Sequence, residues 1–319
     1  MALIAVDVGG TKIAGGLFSV QGKLLERLVT SVADKKGDEI GAAILEQIQA
    51  LSQKAGELSD EVTAIGMCVP GIYNPENGTV WAPNLKGWES YPLLEKITKN
   101  VDQKIPVQID SDRCCYILGE IWQGNARGCK NAVFLAVGTG IGAGIVVDGR
   151  VLRGTGNSAG AVGWMALNRP YLKEYDECGC FEYHASGSGL VKVCKTYLDE
   201  ETSYVGKLRD IPAEEMTTKN IFSAYAQNDP LARRVIGEAV EYWGMAVANL
   251  VSIFNPEKII LGGGVFDAAA PLLDQIKAET KRWAQPIAIN EVSIDLAALG
   301  NNAGLYGAAY LALQKVQKN

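Results

Sequence analysis

Three glycine-rich turns, each directly after an apolar stretch, are the segments of this chain best suited to bind phosphate. They are Gly9-Gly10-Thr11, Gly138-Thr139-Gly140 and Gly262-Gly263-Gly264. Glycine lets backbone N–H groups approach phosphate oxygens with no Cβ in the way. One such turn would be a weak sign, because glycine also makes tight hairpins, but three after three apolar strands indicate phosphate binding. None fits the P-loop pattern or opens a helix as a Rossmann glycine motif does, so neither site type is expected.

Asp112 is the candidate general base. It follows a short apolar strand at 107–109 and precedes a helix predicted around 116–121. A carboxylate within reach of a hydroxyl aligns it and accepts its proton as a new bond forms. Aspartate also caps helices well, so spacing alone leaves both catalysis and capping open. We interpret the neighbouring Asp110 as a cap or a surface charge.

The strand–turn–strand pattern around the first turn occurs again around the second. The first copy has apolar strands at 2–6 and 13–20 and ends in Gln21-Gly22-Lys23. The second copy has a strand at 131–137, a turn at 138–144 and a strand at 145–147, and it ends in Asp148-Gly149-Arg150. Two copies at domain spacing predict a duplicated architecture rather than one long sheet.

Helix and strand patterns alternate in the rest of the chain. Apolar residues at helical spacing predict helices at 40–51 and 231–250, and a small-residue helix is predicted at 303–313. Buried strands are predicted at 62–69 and 258–261. The fold class is therefore α/β, in which ligands bind beyond the carboxyl ends of the strands.

The composition is that of a globular enzyme kept inside the cell. The 319 residues allow two domains, and no run of about 18 apolar residues could span a membrane. The net charge of −6 disfavours nucleic acid and anionic membranes as partners. The first residues show no signal peptide, and seven cysteines, mostly in apolar contexts, indicate reduced thiols. We therefore expect a cytoplasmic location.

Several segments resemble the sugar kinase, actin and heat-shock chaperone superfamily, and within it the ROK family (repressors, open reading frames, kinases). They run through nearly the whole chain in the family's order: 5–12, Val69-Pro-Gly71, Ala82-Pro-Asn-Leu85, 138–142, Gly179-Cys-Phe-Glu182, Asn255-Pro256 with 262–264, and 299–304. The chain is therefore identified as similar to ROK sugar kinases.

The resemblance implies a two-domain actin-like ATPase fold (ribonuclease H-like) that binds nucleotide and sugar in the interdomain cleft. We expect a small N-terminal domain at 1–115, completed by the terminal helix 302–319, and a large domain at 116–301. The implied reaction is ATP-dependent phosphorylation of a hydroxyl on a hexose or hexose derivative. ATP and Mg²⁺ are the implied cofactors, and a homodimer is the implied assembly.

The resemblance also implies roles for individual residues. Asp7 would act on Mg²⁺ through water. The first phosphate hairpin would comprise Gly9, Gly10, Thr11 and Lys12, and the second Gly138, Thr139 and Gly140. Gly262, Gly263 and Gly264 would lie against the adenosine. Asn84 and Glu182 would bind sugar hydroxyls, and Asp112 aligns with the catalytic aspartate of the family's Glu-Asn-Asp-Ala phrase.

The chain departs from the family where the sugar is expected. The family phrase Gly-Glu-x-Gly-His reads Gly160-Ala161-Val162-Gly163-Trp164 here, and Ser111 replaces the Asn beside the catalytic Asp. We therefore expect Ala161, Trp164 and Ser111 to line an altered acceptor pocket. The indole of Trp164 could stack on a sugar face or fill a void, and we favour filling.

The structural zinc of the family is expected to be lost. Lys173 and Tyr175 stand at its first two cysteine positions, and Cys180 remains as an aligned ligand with Cys178 beside it. Tetrahedral zinc needs four ligands. The lone His184 falls outside the family's ligand position, and we expect it to pack on a helix.

Two other functions are considered beside the kinase. Some family members are repressors with a DNA-binding domain ahead of the first hairpin, but only six residues precede Asp7 here, so we set this aside. The second is a catalytically impaired sugar- or nucleotide-binding pseudokinase or sensor, which the altered pocket suggests. Asp112 and all three phosphate turns are present, and this favours the active kinase.

Overall fold

Mixed five-stranded sheets lie at the centre of both units into which the computed structural model of the chain divides. Residues 1–317 are described. The first unit comprises 1–128, 151–159 and the chain from Asn301 onward, and the second comprises 129–150 and 160–300. The first unit thus extends past the boundary expected at residue 115. The last two residues of the predicted terminal segment 302–319 lie outside the described residues.

The first unit begins with an antiparallel hairpin and continues with parallel strands. Its strands are β1 (Ala2–Val8), β2 (Lys12–Ser19), β3 (Leu24–Ser31), β4 (Val62–Val69), β5 (Ile72–Asn74), β6 (Thr79–Trp81) and β7 (Val107–Ser111). Its helices are α1 (Asp38–Glu57), α2 (Leu93–Thr98) and α3 (Asp112–Gln123), joined by the last helix of the chain, α11 (Ala303–Val316). The main sheet has the order β3-β2-β1-β4-β7, and β5 pairs with β6.

The second sheet repeats this arrangement. Its strands are β8 (Ala132–Val137), β9 (Ile141–Val147), β10 (Arg150–Val151), β11 (Lys258–Gly262) and β12 (Ser293–Leu296). The helices of this part of the chain are α4 (Tyr175–Cys178), α5 (Cys180–Ala185), α6 (Gly187–Glu200), α7 (Thr218–Ala226), α8 (Pro230–Phe254), α9 (Gly264–Ala269) and α10 (Leu273–Trp283). The sheet order is β10-β9-β8-β11-β12.

Strand pairing confirms the predicted duplication. In each unit an antiparallel hairpin, β1–β2 or β8–β9, is followed by parallel strands on the far side of its first strand. The predicted end of the second turn is wrong. The turn closes at Gly140, and Gly142 and Gly144 belong to β9, where they pair with Ala136 and Phe134.

The residues at the two ends of the long helix α8 explain where it begins and where it ends. Asp229 is the N-cap, and its carboxylate accepts hydrogen bonds from the N–H groups of Leu231 and Ala232 at 3.0 Å. Pro230 occupies the first turn, where its missing N–H costs nothing. Asn255 ends the helix in the left-handed conformation, directly before Pro256.

Small residues bring helix α11 close to the sheet and to α3. A Cβ on Gly307 would lie 1.8 Å from the carbonyl oxygen of Cys115, and one on Gly304 would lie 2.6 Å from the Asp7 carboxylate. A Cβ on Gly66 of β4 would lie 1.8 Å from the carbonyl oxygen of Ala308. The packing that positions α3 and its first residue therefore depends on glycine.

Among residues 1–317, none of the helices combines the length and the apolar character needed to cross a bilayer.

We expect Gly307→Ala to destabilise the protein by about 1–3 kcal/mol, because the added methyl group forces α11 away from α3. Gly237→Ala is the matched control. Gly237 is an exposed residue of α8 with open space around its Cβ position, so alanine there should be neutral or stabilise by up to about 1 kcal/mol. Urea unfolding of the three proteins measures this. Equal stability of the Gly307→Ala variant and the wild type would contradict the close packing.

Candidate active site

Two backbone hydrogen bonds fix the first glycine-rich turn. The N–H of Gly9 donates to the carbonyl oxygen of Lys12 at 2.9 Å, and the Thr11 carbonyl accepts from the N–H of Val32 at 2.8 Å. Gly10 and Thr11 are exposed, and their N–H groups have no protein acceptor within residues 1–317. Free N–H groups on an exposed turn are suited to an anion such as phosphate.

The second turn is built in the same way. The N–H of Gly138 donates to the Gly140 carbonyl at 2.9 Å, which closes the turn. The carbonyls of Gly138 and Thr139 accept hydrogen bonds from the start of helix α6, namely from the Gly187 N–H at 2.8 Å and the Ser188 hydroxyl at 2.6 Å. In the described chain the N–H groups of Thr139 and Gly140 make no bond to protein. This turn too presents donors.

The third glycine segment joins β11 to α9, and packing explains two of its glycines. A Cβ on Gly262 would lie 2.3 Å from the Phe134 ring, and one on Gly263 would lie 2.5 Å from the carbonyl oxygen of Val137. Gly263 also has a left-handed φ of 94°. Around Gly264 the Cβ position is open. Of these three glycines, Gly264, the first residue of α9, is therefore the one with open space beside it.

Two carboxylates lie at the carboxyl edge of the first sheet. Asp7 lies near the end of β1, opposite Cys68 of β4, and Asp112 follows β7. Burial raises the pKa of Asp7 above its usual value, against a hydrogen bond with Cys68 and the charge of Lys12, which both lower it. Burial also raises the pKa of Asp112 to about 6, and the nearby charge of Asp7 acts in the same direction. Both side chains keep part of their surface exposed.

Asp112 is not the cap of helix α3. Ser111 occupies the N-cap position, and Asp112 is the first residue of the helix. The Asp112 carboxylate accepts from the N–H of Arg113 at 2.7 Å, whereas a cap accepts from donors two or three residues further on. Of the two readings that the spacing allows, the geometry disfavours capping and leaves the carboxylate for chemistry.

The interpretation of Asp110 as a cap or surface charge is wrong. Asp110 is buried, and its carboxylate pairs with the guanidinium of Arg153 at 2.5 Å. The adjacent Ser111 is also buried, and its hydroxyl donates to the thiol sulfur of Cys114 at 3.2 Å. The ion pair thus ties the segment 151–159 to the strand that leads into Asp112.

Asn84 lies in the same unit as these carboxylates and next to the first turn. Its side chain is exposed, and its Nδ2 lies 3.5 Å from the position of a Cβ on Gly10. Asn84 therefore presents an amide beside the exposed backbone donors of Gly10 and Thr11.

In the second unit, Glu182 lies directly against the second turn. Its Oε2 accepts from the N–H of Ile141 at 2.6 Å, and burial raises its pKa. A Cβ on Gly163 would lie 3.0 Å from the Glu182 side chain, so the segment with Ala161 and Trp164 passes close to it. Both Ala161 and Trp164 are exposed, the indole at 57%. The expectation that Trp164 fills a void is therefore wrong.

Aromatic packing occupies the region where the family resemblance would place zinc. The Tyr175 hydroxyl lies 2.7 Å from Nε2 of His184, and Tyr175 is buried. The His184 ring stacks on Tyr242 of α8 with centroids 4.4 Å apart, which confirms that it packs on a helix. Within the described range 1–317 no group of three or more His, Cys, Asp or Glu side chains could hold a metal. That the protein lacks zinc stays a prediction.

Sequence reasoning missed Arg153 and Ser188. Nothing local marks Arg153, because its partner Asp110 lies 43 residues away. Ser188 could have been found, since Ser186-Gly187-Ser188-Gly189 directly precedes the helical apolar residues of α6 and is typical of a helix start.

Comparison with known proteins extends this picture. The ROK family model matches residues 3–315. A glucokinase of Halalkalibacterium halodurans is 31% identical over 98% of this chain and 95% of its own length. A beta-glucoside kinase of Listeria monocytogenes is 28% identical over 100% of both chains. The crystal structure of a ROK family glucokinase from Streptomyces griseus, in complex with glucose and AMPPNP, is 30% identical with a TM-score of 0.76, covering 98% of this chain and 100% of its own. These matches confirm the predicted two-domain actin-like α/β fold.

We expect Asp112→Asn to stabilise the protein at pH 7–8. A carboxyl whose folded pKa is raised from 3.8 to about 6 favours the folded state at low pH, and this contribution is lost as the pH rises through 6. Asparagine carries no charge to desolvate, so the gain should be about 1–3 kcal/mol at pH 8 and should vanish near pH 4. Urea unfolding at several pH values measures it, with the exposed Asp34→Asn as control. A variant less stable than the wild type at pH 8 would contradict the burial of an ionised carboxylate.

Proposed function

This chain belongs to the ROK family, and from that premise we propose that it is an ATP-dependent sugar kinase with Asp112 as general base. The observation that carries the proposal is the Asp112 carboxylate, which is uninvolved in capping and has a pKa raised to about 6. Sugar kinases of known activity that match nearly the whole chain support it.

Asp112 suits a base that works near neutral pH. With a pKa of about 6 it is mostly ionised at pH 7, and it is a stronger base than an ordinary aspartate. In the proposed step a sugar hydroxyl oxygen bonds to the γ-phosphorus while the bond between that phosphorus and ADP breaks. The hydroxyl proton passes to the Asp112 carboxylate. The products are the sugar phosphate and ADP.

The open N–H groups of the turns hold the donor phosphates. Gly10 and Thr11 with Lys12 serve one set of phosphate oxygens, and Thr139 and Gly140 serve another, while the N–H groups of Gly9 and Gly138 close the two turns. Gly262 to Gly264 approach the adenosine, with the open position at Gly264 as the contact. Preorganised backbone donors stabilise the charge that develops in phosphoryl transfer.

Asp7 fits a role beside Mg²⁺. Its carboxylate offers the hard oxygen atoms that Mg²⁺ prefers, and its hydrogen bond with Cys68 leaves oxygen lone pairs free. Mg²⁺ bound there with ATP supplies neutralisation of the phosphate charge. Asp7 itself orients the water shell of the ion.

We propose that the acceptor is a substituted hexose such as a β-glucoside. An exposed indole at Trp164 and a methyl group at Ala161 offer apolar contact where a carboxylate and an imidazole were expected. Asn84 and Glu182 supply polar contacts to hydroxyls, whereas Ser111 is buried with its hydroxyl bonded to Cys114 and supports Asp112 from behind. The beta-glucoside kinase that aligns over the full length of this chain supports this choice.

A cytoplasmic location and a homodimer complete the proposal. The seven cysteines are all unpaired, and most are buried, as a reducing compartment favours. The dimer and the lack of a nucleic-acid partner rest on the resemblance and the acidic charge, and both stay predictions.

We expect Asp112→Asn to lower kcat by about 10²–10⁴, the usual contribution of a positioned base. The asparagine keeps the hydrogen bond from Arg113, so folding and nucleotide affinity should be retained. A coupled assay of ADP release with and without sugar measures the loss, and Asp34→Asn serves as the control. Near-normal turnover of the Asp112→Asn variant would overturn the assignment, and ADP release by the wild type that no sugar stimulates would favour the pseudokinase.

We expect glucose to be a poorer acceptor than β-glucosides by about tenfold or more in kcat/KM. A hydrogen bond to a charged group contributes about 1.5–3 kcal/mol, and Ala161 cannot supply one. A panel of glucose, allose, fructose, N-acetylated hexosamines and simple glycosides tests this. Ala161→Glu should improve glucose selectively, whereas Ala278→Glu on the exposed face of α10 should not. Glucose as the best substrate by tenfold would refute the proposed role of Ala161.

A further inference from the structure

We propose that Ser188 and Glu182 are positioning residues that hold the Gly138–Gly140 turn from two sides in the form that binds phosphate. This inference rests on the proposed function, since it assigns the turn to the ATP phosphates. It concerns residues of the second unit alone.

The first set of hydrogen bonds that positions the turn comes from the start of helix α6. The Thr139 carbonyl accepts two hydrogen bonds from Ser188, at 2.6 Å from the hydroxyl and 3.3 Å from the N–H. The Gly138 carbonyl accepts from the Gly187 N–H at 2.8 Å. The first N–H groups of a helix lack partners within the helix. Here two of them bind the turn, so they act on phosphate through the turn rather than directly.

The start of α6 is itself firmly fixed. The buried N-cap Ser186 accepts from the N–H of Gly189 at 3.0 Å, and its hydroxyl lies 3.2 Å from that of Ser188. The Thr218 hydroxyl donates to the Gly187 carbonyl at 2.9 Å. A Cβ on Gly187 would lie 2.9 Å from the Gly138 carbonyl oxygen, so the close approach requires glycine.

The second contact that positions the turn is made by Glu182 on helix α5. Its Oε2 accepts from the N–H of Ile141, the residue directly after the turn, at 2.6 Å. A Cβ on Gly140 would lie 2.8 Å from the same oxygen, so the carboxylate lies close against the turn.

These contacts orient the peptide groups of the turn. With the carbonyls of Gly138 and Thr139 bonded to α6, the N–H groups of Thr139 and Gly140 are left without a protein acceptor in the described chain. Peptide groups that are held in place lose less conformational freedom when a ligand binds. The hydrogen bonds of Ser188 should therefore increase the affinity of the turn for nucleotide.

Glu182 also links the two substrates. Its Oε1 has no hydrogen-bond partner among residues 1–317, and the proposed function assigns this carboxylate to a sugar hydroxyl. A single carboxylate then holds the phosphate turn with one oxygen and the acceptor with the other. Sugar binding should therefore strengthen nucleotide binding.

Titration calorimetry with AMPPNP and Mg²⁺, without sugar, tests the hold from α6. Ser188→Ala should weaken nucleotide binding by about 3- to 10-fold, the value of a neutral hydrogen bond. Ser188→Thr keeps the hydroxyl and should restore most of the affinity. Ser223→Ala, on the exposed face of α7, is the matched control and should bind as the wild type does. In kinetics Ser188→Ala should raise the KM for ATP and leave the KM for sugar unchanged.

Two variants of Glu182 test the other hold. Glu182→Gln keeps an acceptor for the Ile141 N–H and should retain nucleotide affinity, whereas Glu182→Ala should lose about 3- to 10-fold. Both should weaken sugar binding. Unchanged AMPPNP affinity in Ser188→Ala, or equal affinities in the two Glu182 variants, would overturn the positioning role.

The failure of this inference is distinguishable from failure of the proposed function. If the variants shift AMPPNP affinity as expected but the wild type phosphorylates no sugar, the hold stands and the kinase assignment fails. If the wild type phosphorylates a sugar and Ser188→Ala binds AMPPNP normally, the inference alone fails. A wild type that binds no nucleotide overturns both.

Discussion

The rest of this structure depends on one constraint, which is that the Asp112 carboxylate must be largely buried in protein and yet accessible to a substrate. Desolvation makes the ionised form of Asp112 costly, and this is the main cause of its raised pKa. The fold must hold the group in place against this cost. Strand β7 leads directly into the residue, helix α3 begins with it, and α11 packs against α3 through Gly307 at a distance that no side chain allows. The desolvation that costs stability at Asp112 also raises its pKa, and this raised pKa is the property on which its proposed role as the base depends.

The glycine-rich turns do the opposite of Asp112, because they expose backbone N–H groups where Asp112 buries a charged side chain. In each unit a hairpin turn closes on itself through the N–H of its first glycine. The Thr11 carbonyl of the first turn and the Gly138 and Thr139 carbonyls of the second accept hydrogen bonds from neighbouring segments. The donors that remain then face outward. Both turns follow the first strand of the same sheet pattern. The duplicated architecture therefore provides one set of backbone N–H donors in each unit. The second turn is also bonded to two side chains, since the Ser188 hydroxyl donates to the Thr139 carbonyl and the Glu182 carboxylate accepts from the N–H of Ile141.

Local patterns predicted much of this fold from the sequence. The strand at 62–69, the hairpin pattern and its repeat, and the helix at 231–250 all depend on neighbouring residues, and the structure has them. The features that sequence missed depend on distant contacts. The Asp110–Arg153 pair joins segments that no local pattern connects, and the exposure of Trp164 depends on what packs around it. The second turn ends at Gly140 because of one backbone hydrogen bond, which glycine spacing does not reveal. Roles at the acceptor site came from resemblance, because alanine and tryptophan carry no chemistry that marks a site.

The most direct test of Asp112 as the base is the pH dependence of kcat/KM for the best sugar acceptor at saturating MgATP. If the base has a pKa raised by burial, activity should rise with pH along a limb whose apparent pKa is about 6 and then level off. AMPPNP affinity, measured across the same range, should show no such limb. A profile that is flat from about pH 5 to 8, or a limb that persists unchanged in the residual activity of Asp112→Asn, would show that another group takes the proton.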